Sequence, residues 1–515
     1  MTELNISEIK KIDLTSEPVI LGSGLTAYSV AKVFEDAGIN FSIIDAGLLE
    51  NKLAKKAELL QFSKKFSSPK LSSVIESYAF TGFYRNLNIQ EKNFSALGSL
   101  AAGGLSNIWG AGLHHYSENE NAFIKPSNHS KFTKKACISV NAFTQENDSL
   151  KFQSIKRFNE IYPEIELNSA CKNLFINQKF SSSLIKFELP INAIKRVDKK
   201  NQDSKLIQDS WLGNFKQLTT FNSKTPIYKM SELANCSLIS NTLIKKIIKK
   251  KEVYLIDCEN IISGEKIQIR TKEIFCCMGV LATTKIVLEM GEKINIHHDL
   301  LNTPAAGFIS FCYARNYKTG NLGLNNLSFK IDIRNENISG SFFPMTKNLY
   351  FKITQKWLVP KFIKQILYKL LFSRILVSNI FFPSSYGNHK ILLTDKNKLK
   401  ILGKNKSKKI KSEFKYILNL LKKNLSEQKI FILPIFKKIL RPGEDIHYGG
   451  SLSHNDFPEN KLCCNEQGEL QNYQNFYICD SSSMSYLSGK PHSFNAMVNA
   501  TVIAMIYIEK NHPKT

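Results

Sequence analysis

The chain of 515 residues has no uninterrupted apolar run of about 18 residues, the length that a bilayer-spanning helix requires. Its N-terminal segment does not combine a basic start, an apolar run and a small-residue cleavage site, so it does not predict a secretory signal. Ten cysteines are present, but none forms a CxxC pair or a cysteine–histidine cluster with zinc spacing. We therefore expect a cytoplasmic protein with reduced thiols and no metal site.

Acidic residues are few relative to basic ones, and the formal net charge is +26. An abundance of lysine along the whole chain accounts for most of this excess, and attraction to an anionic substrate, a polyanion or a membrane surface is the alternative. No recognisable module interleaves arginine with aromatic residues, so we do not predict a nucleic-acid partner.

One basic segment, residues 357–382, mixes apolar residues with Lys361, Lys364, Lys369 and Arg374. This spacing predicts a pair of basic amphipathic helices. The commoner explanation of such helices is that they face the core and that their lysines are solvated. The alternative is peripheral contact with the inner face of a membrane.

A short apolar run at residues 18–21 leads into a glycine turn and then into a helical period that ends at Gly38. A second apolar run follows at residues 41–44 and ends in Asp45. This order predicts a dinucleotide-binding unit in which glycines permit the turn and the approach of a pyrophosphate, and the acid accepts hydrogen bonds from a ribose. The predicted cofactor-binding residues of this unit are Gly22, Ser23, Gly24, Thr26, Ala27 and Asp45.

The glycine turn alone does not distinguish FAD from NAD, but three further segments follow it in a specific order. Residues 97–110 contain a loop of glycines and small residues, and residues 272–288 contain an apolar strand that reaches Gly279 before a helical pattern. Residues 445–510 contain a His-x-x-Gly turn, a strand that ends in Asp480, and a glycine turn before a long apolar helix. Together the four segments resemble the glucose-methanol-choline oxidoreductase family, and within it the pyranose oxidases and flavoprotein sugar dehydrogenases.

The resemblance implies an α/β fold, with a Rossmann-like FAD-binding domain and an interleaved α+β substrate domain built on an antiparallel sheet. The FAD-binding domain would comprise residues 16–148, 235–301 and 441–515, and the substrate domain residues 149–234 and 302–440. The four segments are distributed from the beginning to the end of the chain. The residues that match the family's motifs, however, make up only a minority of the sequence.

The resemblance also implies which residues outside the first unit contact FAD. These are Gly103, Gly104, Ser106, Asn107, Gly279, Asp480 and Ser481. Some relatives bond FAD covalently through a histidine at the position that matches Ile108, and isoleucine cannot do so. We therefore expect FAD to be bound non-covalently.

Relatives oxidise a CH–OH group by hydride transfer to flavin N5, and the hydroxyl proton needs a base such as neutral histidine. His447 matches the first catalytic histidine and is the predicted base. Pro491 stands where relatives carry asparagine or histidine, so the predicted second residue is His492, with Asn495 as a further candidate. The implied substrate is a small alcohol or sugar, anionic and lipid-linked sugars included, and the electron acceptor is not identified.

Two other functions stay open on the sequence. One is an NAD(P)-linked reductase or another flavoprotein with two dinucleotide sites, because the glycine turn is shared with that class. The other is a non-catalytic flavin-binding partner in surface-polysaccharide assembly, because Pro491 departs from the catalytic pattern.

Overall fold

The computed structural model gives the chain a set of sheets and helices whose placement defines one large cavity. It describes residues 9–47, 83–117, 120, 130–144, 154–161, 165–178, 184–194, 220–320, 322–333, 336–355, 357–404, 408–453 and 461–512.

The strands follow one another from the N-terminal to the C-terminal region of the chain. They are β1 (Lys10–Leu14), β2 (Val19–Leu21), β3 (Phe41–Ile44), β4 (Ile89–Lys92), β5 (Ile185–Glu188), β6 (Cys236–Ile239), β7 (Thr242–Lys250), β8 (Val253–Asn260), β9 (Lys266–Thr271), β10 (Ile274–Cys276), β11 (His298–Asn302), β12 (Ala305–Cys312), β13 (Leu327–Ile333), β14 (Glu336–Pro344), β15 (Ile375–Phe381), β16 (Asn388–Leu393), β17 (Leu399–Leu402), β18 (Ile430–Ile439), β19 (Tyr448–Gly449) and β20 (Phe476–Ile478).

The helices lie between groups of these strands or after the last strand. They are α1 (Leu25–Asp36), α2 (Phe83–Leu87), α3 (Ser130–Thr144), α4 (Ile155–Ile161), α5 (Ser169–Ile176), α6 (Lys224–Met230), α7 (Val280–Met290), α8 (Lys347–Ile353), α9 (Lys361–Leu370), α10 (Lys408–Glu427) and α11 (Ser493–Asn511). Within the described ranges, no helix combines the length and the apolar composition that crossing a bilayer requires.

A five-stranded parallel sheet in the order β20-β10-β2-β3-β6 carries the glycine turn. β2, β3, β10 and β20 are buried at every position because both faces of the sheet are covered. Ile20 packs with α1 and α11 on one face, whereas Val19 and Leu21 pack into a second cluster on the other face. This sheet confirms the predicted Rossmann-like unit.

The second large sheet has six strands in the order β18-β12-β15-β14-β13-β5, and every neighbouring pair is antiparallel. The amphipathic helix α10 covers one face, where Ile417 and Leu421 are fully buried against Phe308 and Phe329. The sheet confirms the predicted antiparallel substrate sheet. Its other face meets the hydrophobic cluster beneath α8 and α9.

One of the two remaining sheets joins strands from both predicted domains, and the boundaries between these domains stay a prediction. β16 and β17 lie inside the predicted second substrate segment, residues 302–440, but they pair with β11 and β4 in the sheet β19-β11-β16-β17-β4. The fourth sheet has the order β1-β9-β8-β7, and its edge strand β1 pairs with β9 in parallel. The pairing of strands from distant parts of the chain determines which sheet each strand joins, and hydrophobic periodicity does not predict this pairing.

The prediction of a basic helix pair at residues 357–382 is wrong in its second half. Only α9 is an α-helix, and the chain then forms β15, because the segment that starts at Ile375 is rich in residues that favour strands. The orientation of α9 also differs from a core-facing helix with solvated lysines, since Lys364 is buried and Phe362 is exposed.

Candidate functional site

A cavity of ≈ 580 Å³ extends from the glycine turn after β2 to the segment between β18 and β19. Gly22, Gly24 and Asp45 line one part of it, and His447 and His492 line another. The volume lies within the range of about 300–1,000 Å³ that is typical of ligand and cofactor sites. The structure thus brings the N-terminal motif and the C-terminal histidines into one cavity.

The two glycines of the turn have different surroundings. Gly22 has φ +99°, and a Cβ there would lie 2.8 Å from the carbonyl oxygen of Cys277, so the turn packs tightly against the residues that follow β10. Gly24 has no atom within 4 Å of the position that a Cβ would take. It precedes α1 without a side-chain cap, so backbone N–H groups at the helix start are available to an anionic ligand in the cavity.

Asp45 follows β3 and lies at the same edge of the parallel sheet. Burial raises the pKa of its carboxyl group to about 7, and hydrogen bonds from the Ser23 hydroxyl and from the backbone N–H groups of Ala46 and Gly47 oppose that rise. A buried carboxyl group beside the turn can accept hydrogen bonds from a ribose, and this role of Asp45 stays a prediction.

The small-residue loop is attached directly to the glycine turn. The backbone N–H of Gly103 donates to Oγ of Ser23 over 2.9 Å. The Ser106 hydroxyl donates to the carbonyl of Gly103, and Nδ2 of Asn107 donates to the carbonyl of Gly104 over 2.7 Å. Ser106 and Gly104 line the cavity, whereas the described contacts of Asn107 serve to shape the loop.

Asn222 and Ser223, which sequence reasoning missed, complete this attachment. The Ser223 hydroxyl donates to the carbonyl of Ser23 over 2.8 Å, and Nδ2 of Asn222 donates to Oδ1 of Asn107 over 2.8 Å. Both residues lie in the predicted first substrate segment, residues 149–234. No glycine pattern or strand signal marks them, so only the folded structure reveals their role.

Asp480 joins the ends of two parallel strands. Its carboxylate accepts hydrogen bonds from the backbone N–H of Gly279 over 2.9 Å and from the Thr283 hydroxyl. It also accepts one from the backbone N–H of Ser482 over 2.9 Å, and burial raises the pKa of Asp480 above its usual value. Gly279, Asp480 and Ser481 line the cavity, so the predicted cofactor residues of the C-terminal half lie together with those of the turn.

His447 and His492 form a pair in the part of the cavity beside the six-stranded sheet. Their ring centroids are 5.5 Å apart at an interplanar angle of 78°, and the His447 ring also contacts Phe381 edge-on at 4.9 Å. Burial lowers the pKa of His492 to about 4, so this side chain is neutral at neutral pH. Its Nδ1 is buried without a hydrogen-bond partner among the described residues, which leaves it available to a ligand.

The backbone around His447 is held by Asn302, another residue that sequence reasoning missed. Nδ2 of Asn302 donates to the His447 carbonyl over 2.8 Å and to the Asp445 carboxyl oxygens over 2.9 and 3.0 Å. Between these two anchored residues Ile446 has φ +62°, a strained conformation for a β-branched residue. Burial raises the pKa of Asp445, which also lines the cavity, to about 8.

Comparison with known proteins identifies the fold. No family model and no curated protein sequence matches the chain. Among solved structures, formate oxidase matches with a TM-score of 0.62 and 10% identity over 98% of this chain and 99% of the other. Pyridoxine 4-oxidase from Mesorbium loti matches with a TM-score of 0.58 and 10% identity over 96% of this chain and 100% of the other. A variant of formate oxidase from Aspergillus oryzae RIB40 matches with a TM-score of 0.61 and 9% identity over 98% of this chain and 99% of the other.

The chain has the fold of the glucose-methanol-choline oxidoreductases. This agrees with the resemblance that the four motifs indicated. An identity near 10% establishes the fold alone, so the activity is argued below from the residues of this chain.

Within this glucose-methanol-choline fold, Asn495 does not line the cavity. Its Nδ2 donates to the carbonyl of His114 over 2.7 Å, and its Oδ1 accepts from the backbone N–H of Tyr116 over 3.1 Å. Asn495 thereby positions His114, a cavity residue that the sequence did not single out. Burial, with nearby Lys490 acting in the same direction, lowers the pKa of His114 to about 3.

The six-stranded sheet contributes neutral polar and aromatic side chains to the cavity. Ser341 on β14 lies directly opposite Asn379 on β15, and Phe343 and Phe381 flank them. Oδ1 of Asn379 is buried without a hydrogen-bond partner among the described residues. These groups can bind hydroxyl groups of a ligand, and no cluster in the described part of the chain could hold a metal ion.

Proposed function

We propose that the chain binds FAD and oxidises a CH–OH group of a sugar or another alcohol, with His447 as the general base. The observation that carries the proposal is the single cavity that contains both the glycine turn and the histidine pair. A turn without a facing base would fit cofactor binding alone, and a histidine pair without the turn would fit many hydrolytic sites.

The residues present fit FAD. The space before Gly24 admits a pyrophosphate, Asp45 can accept hydrogen bonds from the ribose, and the loop at Gly104 and Ser106 offers backbone to a flat ring. Ile108 lines the cavity with a hydrocarbon side chain, which supports non-covalent binding. Bound FAD would supply the acceptor for the hydride that leaves the carbinol carbon.

The protein's own groups would act on the hydroxyl proton and on the orientation of the alcohol. The His447 imidazole takes the proton as the carbon–hydrogen bond breaks, so the product is a carbonyl compound. His492 is neutral and presents its Nδ1 to the alcohol oxygen, which fixes the position of that oxygen relative to His447. Asn302 keeps the His447 backbone in place during this step.

The neutral character of the sheet residues supports an uncharged, hydroxyl-rich substrate over an anionic one. Ser341 and Asn379 offer hydrogen bonds, and Phe343 and Phe381 offer faces for the apolar side of a sugar ring. The names of the structural neighbours, formate oxidase and pyridoxine 4-oxidase, indicate that this fold serves substrates of different size.

The test is anaerobic reduction of the bound flavin by a panel of sugars and alcohols. The purified protein should be yellow, acid precipitation should release intact FAD, and one of the substrates should bleach the flavin. His447→Ala should slow this bleaching by about 10²–10⁴-fold, the usual contribution of a general base. His512→Ala, which removes an exposed histidine after α11, is the matched control and should reduce flavin at the native rate.

The same experiment distinguishes the two alternatives. Release of NAD(P), or rapid bleaching by NADH in place of an alcohol, would support a reductase. A protein that holds FAD but is reduced by no member of the panel would support a non-catalytic flavin-binding role, which the proline at position 491 motivates. Native-rate reduction in His447→Ala would refute the assignment of the base.

A further inference from the structure

Helix α9 exposes its apolar side chains and buries a lysine. Phe362 and Leu370 are 63% and 64% exposed, and Ile366 between them is 51% exposed. These side chains follow helical spacing, and Leu358 and Leu371 extend the same surface. We refer to Leu358, Phe362, Ile366, Leu370 and Leu371 as the apolar patch. Contiguous exposed apolar surfaces of this kind mark contact sites.

The rotation of α9 is fixed by contacts on its inner side. Nζ of the buried Lys364 donates to the carbonyl of Thr354 over 2.7 Å. The Tyr368 hydroxyl donates to the carbonyl of Met345 over 3.2 Å, and the Tyr368 ring packs against Tyr350 with centroids 5.5 Å apart. Because these contacts hold the inner face, turning the apolar residues inward would leave the Lys364 ammonium group without its acceptor.

The charged residues in the sequence around the apolar patch have one sign. Between Glu336 and Asp395 the chain contains no acidic residue. Lys361 and Lys369 are exposed on α9 itself, beside the patch. An apolar helical face with lysines at its margin complements the surface of a bilayer that contains anionic lipid, where the lysine amines reach the headgroups.

We infer that the apolar patch and its lysines bind the surface of an anionic phospholipid membrane. A second copy of this chain is the less favoured occupant. A two-fold self-contact would place the same lysines against each other, and no carboxylate in this part of the sequence would balance them. The inference does not depend on the proposed chemistry, since the patch lies outside the cavity.

The experiment is co-sedimentation of the full chain with vesicles of phosphatidylcholine alone and of phosphatidylcholine mixed with phosphatidylglycerol. The protein should bind the anionic vesicles preferentially, and salt should weaken the binding. Phe362→Glu/Ile366→Glu should reduce affinity by at least about ten-fold for each side chain removed from the lipid. Ile262→Glu, at a partly exposed isoleucine after β8, is the matched control and should bind as the wild type does.

A second variant, Lys361→Gln/Lys369→Gln, tests the charge without touching the apolar patch. Its affinity for anionic vesicles should fall by about five-fold for each lysine, with its thermal transition unchanged. Absence of binding to anionic vesicles would overturn the inference, and so would undiminished binding of the Phe362→Glu/Ile366→Glu variant. A concentration-dependent dimer that this variant abolishes, without lipid binding, would assign the patch to a second copy instead.

Discussion

Replacing Gly24 by alanine should weaken cofactor binding without weakening the fold. The backbone at Gly24 has φ −70° and ψ −173°, which alanine adopts without strain, and no atom lies within 4 Å of the added Cβ. Reduced freedom of the unfolded chain should stabilise the variant by about 0.4–1 kcal/mol. Loss of glycine at the helix cap should offset this by roughly 0.5–1 kcal/mol. The free energy of unfolding of the FAD-free protein should therefore change by less than about 1 kcal/mol.

The added methyl group would occupy the space through which a pyrophosphate approaches the backbone. Loss of one hydrogen bond from a backbone N–H to a charged phosphate amounts to about 1.5–3 kcal/mol. That loss corresponds to a dissociation constant for FAD that is roughly 10- to 150-fold higher. Quenching of flavin fluorescence on titration of the FAD-free protein measures this constant, and urea unfolding measures the stability.

Gly22→Ala is the matched comparison because it places the same methyl group on the neighbouring glycine. At Gly22 the backbone has φ +99°, and the Cβ would meet the Cys277 carbonyl oxygen at 2.8 Å. We expect the FAD-free protein to lose about 1–3 kcal/mol from backbone strain alone. Wild-type affinity for FAD in Gly24→Ala would refute the placement of the pyrophosphate.

Three further substitutions test the surroundings of the cavity. Asp445→Asn removes a carboxyl group whose pKa is about 8 in the folded protein and near 3.8 in the unfolded chain. Between these two pH values the unfolded chain binds fewer protons, so the free energy of unfolding of the wild type should fall relative to that of the variant as the pH rises. Urea unfolding of the FAD-free proteins measures this difference. Lys490→Met leaves the buried Glu120 carboxylate without the ammonium group that lies 2.5 Å away, and should lower the free energy of unfolding by about 3–5 kcal/mol. The double variant Lys490→Met/Glu120→Gln should regain much of the lost free energy of unfolding, because no unpaired charge is then buried. Asn302→Ala should slow anaerobic flavin reduction by up to about 10²-fold through misplacement of His447, with little change in FAD affinity; an unaltered rate would contradict this positioning role.

The dinucleotide unit was predictable because its signals are local. Gly22 requires glycine for its φ, the helix period begins directly after Gly24, and Asp45 ends the next strand. The return strand before Gly279 and the strand before Asp480 carry equally local signals, and their pairing beside β2 follows the fold that the motifs indicated. The overall fold was therefore accessible from the sequence.

The residues that hold the cavity together were not predictable, because they act across long distances in the chain. Asn222 and Ser223 are bonded to a loop more than a hundred residues earlier, and Asn302 is bonded to the segment at His447. A single asparagine or serine in a connecting segment gives no local signal of such a contact. His114 was overlooked for the same reason.

The position of the second catalytic candidate depends on how the chain enters α11. Counting along the sequence without gaps selects Pro491, but the structure places the ring of His492 beside His447 and turns Asn495 toward the backbone of His114. Both Pro491 and His492 line the cavity, and sequence patterns predict the residue at which a helix begins only to within about 2–4 positions. The catalytic role of His492 stays a prediction.

The most direct test of the account is an experimental structure of the protein with FAD bound. We predict that the pyrophosphate lies at Gly22 and Gly24 and that flavin N5 faces the His447 and His492 imidazoles across a space open to an alcohol. Density for FAD outside this cavity, or a flavin ring directed away from His447, would contradict the account.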